Sequence, residues 1–225
     1  MRNNLKKIRL LASKKSGGTS DLDIKVKIIY YLKKFTTKNK SLLDFGSGKG
    51  ELISELLEKF NFKNMAGADL YQRPKKINKL IIWHQLDLNN SFAIKKKYDF
   101  VICSETIEHL ENPRHTLRTV HRAMKNNGIL ILTMPNNESL RGIGGLIFGG
   151  HFSAFLGSSY PAHITPILKL DLIRICSEIG FKSPLFAYTD SGKVPKFPGI
   201  TWQKISFGLL QGKYFSDTLV MVVKK

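Results

Sequence analysis

Ser41-Leu42-Leu43-Asp44-Phe45-Gly46-Ser47-Gly48-Lys49-Gly50 is the stretch around which the rest of the chain falls into place. Leu42, Leu43 and Phe45 form a short apolar run that fits a buried strand, and residues 51–60 continue with helical periodicity. Between them Gly46, Gly48 and Gly50 mark a tight loop. A strand, a glycine-rich turn and a helix opening make a nucleotide-type crevice, because small residues let the backbone approach a ligand and free amides point at it. The spacing narrows the choice. A dinucleotide fingerprint G-x-G-x-x-G needs glycine at position 51, which is Glu51, and a phosphate-cradling P-loop needs four residues between its glycines followed by Lys-Ser or Lys-Thr.

Outward from this loop the chain alternates strands and helices. Asp21 can cap a helix running to about Phe35, with Ile24, Ile28, Tyr31, Leu32 and Phe35 on one face. Strands are expected at Met65 to Leu70, Leu80 to Gln85, Tyr98 to Cys103 and Ile129 to Thr133. Pro113 opens a helix to about Lys125, with Asn126-Asn127-Gly128 as its stop. This order predicts an α/β fold, a doubly wound parallel sheet with helices on both faces. Residues 135–161 then break the pattern as a long glycine-punctuated insertion. A helix over Pro166 to Gly180 follows, and Phe181 to Tyr188 and Ser216 to Val223 read as two final strands.

The D-x-G-x-G-x-G pattern of Asp44, Gly46, Gly48 and Gly50 resembles motif I of the class I S-adenosylmethionine-dependent methyltransferases. The resemblance covers roughly Leu42 to Phe181. It implies a Rossmann-like sheet of seven strands, mostly parallel, with an antiparallel last strand. It also implies S-adenosyl-L-methionine as cofactor, with Asp44, Gly46, Ser47, Gly48 and Gly50 forming the loop beside its amino acid portion.

A ribose-binding carboxylate is expected about 20 residues past such a loop, at the end of the second strand. Asp69 is there, with Leu70 beside it, 19 residues after Gly50. The alternative is an ordinary strand-end Asp capping the next turn. Asp87, in Gln85-Leu86-Asp87-Leu88, resembles the family position that accepts the adenine amino group, with Leu86 or Leu88 packing on the ring. Ser104 and Glu105 end the fourth strand, at the edge where ligands of open α/β sheets bind.

Cys103-Ser104-Glu105-Thr106-Ile107-Glu108-His109-Leu110 is the second informative stretch. On a short helix, Glu105, Glu108 and His109 share one face. Two carboxylates and an imidazole suit a divalent ion such as magnesium, with His163 as a fourth ligand. The pattern resembles the metal site of the small-RNA 3′-terminal 2′-O-methyltransferases and the Glu-His-Leu stretch of the ubiquinone-pathway O-methyltransferases. A metal-free alternative makes His109 or His163 the general base beside Glu105. A third reading has His109 simply satisfying a backbone carbonyl.

The chain's 225 residues support one substantial core, with residues 1–20 as a basic arm, loosely docked or mobile, and 21–225 as one domain. Cys103 and Cys176 lie in apolar segments and give no disulfide framework, so a cytoplasmic location is expected. Residues 1–11 lack the sustained apolar stretch and cleavage site of a signal peptide, and no apolar run reaches the roughly 18 to 20 residues of a membrane span. The formal charge is +19, but 28 of the 36 basic residues are Lys. RNA-reading surfaces draw on Arg for its bidentate fork, so the charge leaves RNA as one candidate partner among others.

The insertion sets Ile143, Leu146, Ile147, Phe148, Phe152 and Phe155 among glycines, and residues 197–210 are also apolar with basic flanks. Such segments fit a lid over a hydrophobic acceptor, a peripheral membrane contact with Lys193, Lys196, Lys204 and Lys213 facing headgroups, or a homodimer contact. The functional expectation is O-methylation of a small-molecule, glycan or lipid-linked acceptor. The alternatives are a metal-dependent RNA 2′-O-methyltransferase and a cofactor-binding partner subunit without its own catalysis.

Overall fold

A computed structural model describes residues 2–35, 37–90, 94 and 96–225. Met1 and the side chains of Lys6 and Pro198, which the sequence reading included, lie outside what is described. In chain order the sheet strands are β1 (Ser41–Phe45), β2 (Asn64–Asp69), β3 (Ile81–Gln85), β4 (Tyr98–Ser104), β5 (Met124–Pro135), β6 (Leu185–Tyr188) and β9 (Thr218–Lys224). A separate hairpin, β7 (Lys193–Val194) and β8 (Phe197–Thr201), precedes β9. The helices are α1 (Arg2–Lys15), α2 (Leu22–Lys33), α3 (Glu51–Lys59), α4 (Pro113–Ala123), α5 (Leu140–Gly149), α6 (Lys169–Ile179) and α7 (Trp202–Ile205).

The seven-stranded sheet runs β3-β2-β1-β4-β5-β9-β6. β1 to β5 pair in parallel, and β9 is antiparallel to both β5 and β6. The expected fold class is therefore observed, with the antiparallel strand lying inside the sheet beside its edge. The strand order reverses between β1 and β4, which opens a crevice at their carboxyl ends.

Alternation along each strand divides the core in two. Val101, Cys103, Leu219 and Met221 pack with Leu117 and Val120 of α4 and Leu172 and Ile175 of α6 on one face. Phe100, Ile102, Val220 and Val222 pack with Ile24 and Ile28 of α2 and Leu52, Ile53 and Leu56 of α3 on the other. Local chemistry fixes the helix ends. Asn112 accepts from His115 N at 2.9 Å with Pro113 in the first turn, and Gly180 closes α6 at φ 93°.

Four local expectations differ from the structure. The basic arm forms helix α1, which lies across the crevice. Part of the lid insertion is also helical: α5 starts where Ser139 Oγ accepts from Gly142 N at 3.0 Å and stops at the left-handed Gly150. β5 begins at Met124, several residues early, because the β4–β5 register slips between Tyr98↔Met124 and Phe100↔Ile129 and absorbs the expected turn as a bulge. Asp21 precedes α2 in extended conformation but makes no side-chain cap.

Candidate active site

The crevice at the switch point encloses about 460 Å³. Its floor is the loop after β1, where Gly48 has φ 53° and an added Cβ would collide with the carbonyl of Gly18. Gly46, Ser47 and Gly48 face the cavity, but Gly50 does not line it. Gly50 instead turns the chain into α3 at φ 78°, where a side chain would meet Ile77 at 2.8 Å. Its role is to shape the loop, because the turn carries it behind the residues that face the opening.

Asp44 is fully enclosed, and its Oδ2 has no hydrogen-bond partner among the described residues. Burial, reinforced by nearby Asp69, pushes its carboxyl up to about 7. Asp69, at the end of β2, accepts from Gly48 N at 2.7 Å through Oδ2 and from Tyr71 N at 2.9 Å through Oδ1. Its pKa is raised by burial and held back by these amides. Each oxygen keeps lone-pair capacity toward the crevice, which Leu70 also lines.

Asp87 and Leu88 close the far end of the crevice, with Leu88 buried. Asp87 is already engaged. Its Oδ2 accepts from Arg9 NH1 at 2.7 Å, and the same guanidinium bonds Glu111 Oε1 at 3.0 and 2.8 Å and Asn90 Oδ1 at 3.2 Å. Arg9 thus ties α1 across the crevice. Tyr71 OH donating to Ser13 O at 2.7 Å and Lys15 Nζ donating to Tyr160 O at 2.7 Å hold the rest of the helix. Arg9 escaped sequence reasoning because nothing distinguishes it from the other basic residues of its segment.

At the end of β4, Ser104 Oγ lies 3.1 Å from Ser20 Oγ and 3.0 Å from Thr133 Oγ1. Glu105 adopts φ 46°, a conformation that non-glycine residues seldom hold. Its amide donates to Thr133 O at 3.0 Å and to Thr133 Oγ1 at 3.1 Å, which pins the strained residue. Thr133 was likewise not foreseen, since it reads in sequence as an ordinary strand residue.

A single helical turn at Ile107–His109 follows. Candidate metal-ligand atoms of Glu108, His109 and His163 all lie within 4.8 Å of one another. Glu105, predicted as a fourth member, stands outside this group: its left-handed backbone ends β4 before the turn begins, so 105 and 108 do not sit on one continuous helix. Glu108 is 1 % exposed, and neither of its oxygens has a hydrogen-bond partner among the described residues. Burial raises its carboxyl to about 8. His109 Nδ1 is 2.8 Å from Ala162 O, and His163 Nδ1 is 2.7 Å from Ala154 O. Burial lowers both imidazole pKa values. A neutral ring donating through Nδ1 presents a lone pair at Nε2, the state in which histidine accepts a proton or ligates a metal.

The family described as "Methyltransferase domain" matches residues 20–183. The chain belongs to this methyltransferase family. The ubiquinone biosynthesis O-methyltransferase of Hydrogenovibrio crunogenus is 29% identical over 123 residues, covering 49% of this chain and 49% of that protein. The chain thus spans about half the length of the curated relatives it matches. Among solved structures, a SAM-dependent methyltransferase from Archaeoglobus fulgidus superimposes with a TM-score of 0.61 at 19% identity, over 90% of this chain and 93% of the other. The plantazolicin methyltransferase BpumL, solved in complex with a triazolic desmethylPZN analog and SAH, superimposes with a TM-score of 0.59 at 15% identity, over 100% of this chain and 99% of the other. At these identities the two structures establish the shared fold for this family member.

Proposed function

We propose that this methyltransferase-family chain transfers a methyl group from S-adenosylmethionine to an oxygen of a small-molecule, glycan or lipid-linked acceptor. The observation that carries the reading is the crevice itself: an unpartnered Asp44 oxygen, a glycine loop and Asp69 are gathered at the sheet's switch point, with Glu108 and His109 on the same cavity wall. Family membership and the O-methyltransferase name of the relative support it.

The residues fit this cofactor. When bound, S-adenosylmethionine supplies a methyl group on a positively charged sulfur. Asp44 offers its free oxygen to an ammonium, which would lower its raised pKa by supplying a counter-charge. Asp69 accepts hydroxyl hydrogens on lone pairs left by Gly48 and Tyr71. Asp87 accepts an amino group, and Arg9 fixes the direction in which its carboxylate points. His163, anchored through Nδ1 to Ala154 O, can take the proton from an acceptor hydroxyl at Nε2, and His109, held by the Ala162 and Glu105 backbones, stands beside it. α1 lies along the crevice, where Leu5, Ile8 and Ala12 would limit the water around a bound cofactor.

Glu108, His109 and His163 also fit a divalent cation, which would lower the pKa of a hydroxyl bound to it. The carboxylate without hydrogen bonds is the observation in its favour, because a buried anion is costly unless a cation or donor meets it. This set keeps RNA 2′-O-methylation as a second reading. The exposed Phe148 of α5 and Phe207 after α7, at 91% and 96%, support contact with a lipid surface or a second copy.

The test is transfer of labelled methyl from S-adenosylmethionine into lipid, glycan and RNA extracts, with and without chelator. Label in the lipid or glycan fraction supports the reading. Label confined to RNA replaces it with the second one.

A further inference from the structure

Next to the cofactor crevice lies a second cleft of about 210 Å³. The two share Asp21, Ile24, Glu105 and His163 in their walls, so Glu105 and His163 stand on the partition between them. This cleft is smaller than the roughly 300 Å³ at which sites for whole drug-sized ligands begin, so it suits one end of a molecule.

The partition is built with care. Glu105 keeps its left-handed backbone against the cost of that conformation, held by two bonds from its amide to Thr133. Its Oε1 is shut off from solvent and has no partner among the described residues. The strain sets this carboxylate where the two cavities meet.

The charge around the cleft is opposite in sign to that of the protein. Asp21, Asp23, Glu105 and Asp217 line it against Arg141 and Lys193. Asp217 Oδ2 accepts from Arg141 NH1 at 3.3 Å and from the Lys193 backbone amide at 3.0 Å, which offsets Arg141. Asp21 and Asp23 then face Lys193, while burial and the neighbouring Glu108 hold the Glu105 carboxyl well above the usual carboxylate range, so it adds no firm charge to the wall. Asp21, which makes no side-chain cap at the start of α2, lines both cavities. A chain of +19 therefore carries carboxylates at the place where the acceptor must meet the cofactor.

We propose that this second cleft is the acceptor site, and that its carboxylates admit the hydroxyl-bearing end of a neutral or cationic molecule and reject phosphodiesters and other polyanions. The proposal rests on the methyltransferase reading above and names the class of its substrate. A ribose 2′-hydroxyl arrives with phosphates on either side, and these would meet the exposed carboxylates of Asp21 and Asp23 at the mouth of the cleft, a repulsion that added salt screens. The lysines elsewhere on the surface can attract a polyanion, but the cleft repels it.

A thiol placed in the wall reads the charge without knowledge of the acceptor. Cys103 and Cys176 are buried, so in Ser153→Cys the new thiol is the reactive one. Ser191→Cys serves if the first variant folds poorly. The probes are 2-aminoethyl methanethiosulfonate, a cation, and 2-sulfonatoethyl methanethiosulfonate, an anion, each rate normalised to free cysteine. The expected cation preference is on the order of tenfold at low salt, falling toward one with added salt and in Asp21→Asn/Asp23→Asn. An anion that reacts as fast as the cation overturns the proposal. The modified protein should bind S-adenosylhomocysteine within about twofold of the unmodified affinity but lose methyl transfer to extract. Loss of cofactor binding would assign the cleft to the cofactor, and undiminished transfer would put the acceptor elsewhere. Either result overturns the proposal. An unmodified protein that labels nothing counts against the methyltransferase reading alone, and the thiol rates still decide the sign of the cleft.

Discussion

Oε1 of Glu108 stands 3.8 Å from Nε2 of His109, and neither oxygen of this buried carboxyl receives a hydrogen bond among the described residues. Such a group is at ease only when protonated or when a cation joins it. The chemistry proposed for the site, and much of its pH behaviour, follow from that pair.

Stability of the ligand-free protein should fall as pH rises through neutrality. Burial lifts the Glu108 carboxyl from 4.5 to about 8 and that of Asp44 from 3.8 to about 7, and burial together with the nearby Glu108 raises Glu105 well above its usual range in the same sense. Between those values the folded chain holds protons that the unfolded chain has released, so raising pH favours unfolding until the folded pKa is passed. His109 and His163, lowered from 6.5, act in the opposite sense, but below that value. Melting temperature measured from pH 6.5 to 9 should therefore decline and then level off. Glu108→Gln, which keeps the shape and cannot ionise, should flatten the decline. An equally steep decline in that variant, with a flattened one in Glu105→Gln, would show that Glu105 and not Glu108 is its source.

A divalent cation should reverse this destabilisation. Manganese titrated near pH 7 would bind Glu108 as carboxylate, release a proton and raise the melting temperature by mass action. Chelator should restore the original value. His163→Ala should remove the manganese effect and leave S-adenosylhomocysteine binding in place. The same stabilisation in that variant would rule out the Glu108–His109–His163 group as the site.

Arg9 should govern how firmly α1 covers the crevice. Its bonds to Asp87 and Glu111 join a helix to two separate loops, so Arg9→Ala should let α1 open locally while the sheet stays intact. Hydrogen exchange read by mass spectrometry should rise across residues 2–15, with β1, β4 and β5 unchanged. Added salt should produce part of the same effect in the unaltered chain. Exchange in α1 that does not respond to the substitution would remove Arg9 from this role.

The sheet was legible because its signals are local and repeated. Leu42 to Phe45 and Tyr98 to Cys103 are apolar runs bounded by turns, and the glycine loop fixes the site to the ends of those strands. The helix α5 was hidden by Gly142, Gly144, Gly145 and Gly149, which oppose helix formation in isolation, whereas the Ser139 cap and Gly150 stop become visible only in three dimensions. Asp69 could be placed by counting from Gly50. The Arg9–Asp87 bridge could not, because it joins residues 78 apart that carry no mutual pattern. Glu105 reads as a helical neighbour of Glu108, but its positive φ takes it off that helix and it lines both cavities.

Calorimetric titration of the full chain with S-adenosylhomocysteine tests the central claim most directly. One site should be found, and Asp69→Ala, which loses both the crevice carboxylate and the acceptor for Gly48 N, should weaken it by about tenfold or more. Absence of binding by the unaltered chain would contradict the cofactor assignment and the methyltransferase function built on it.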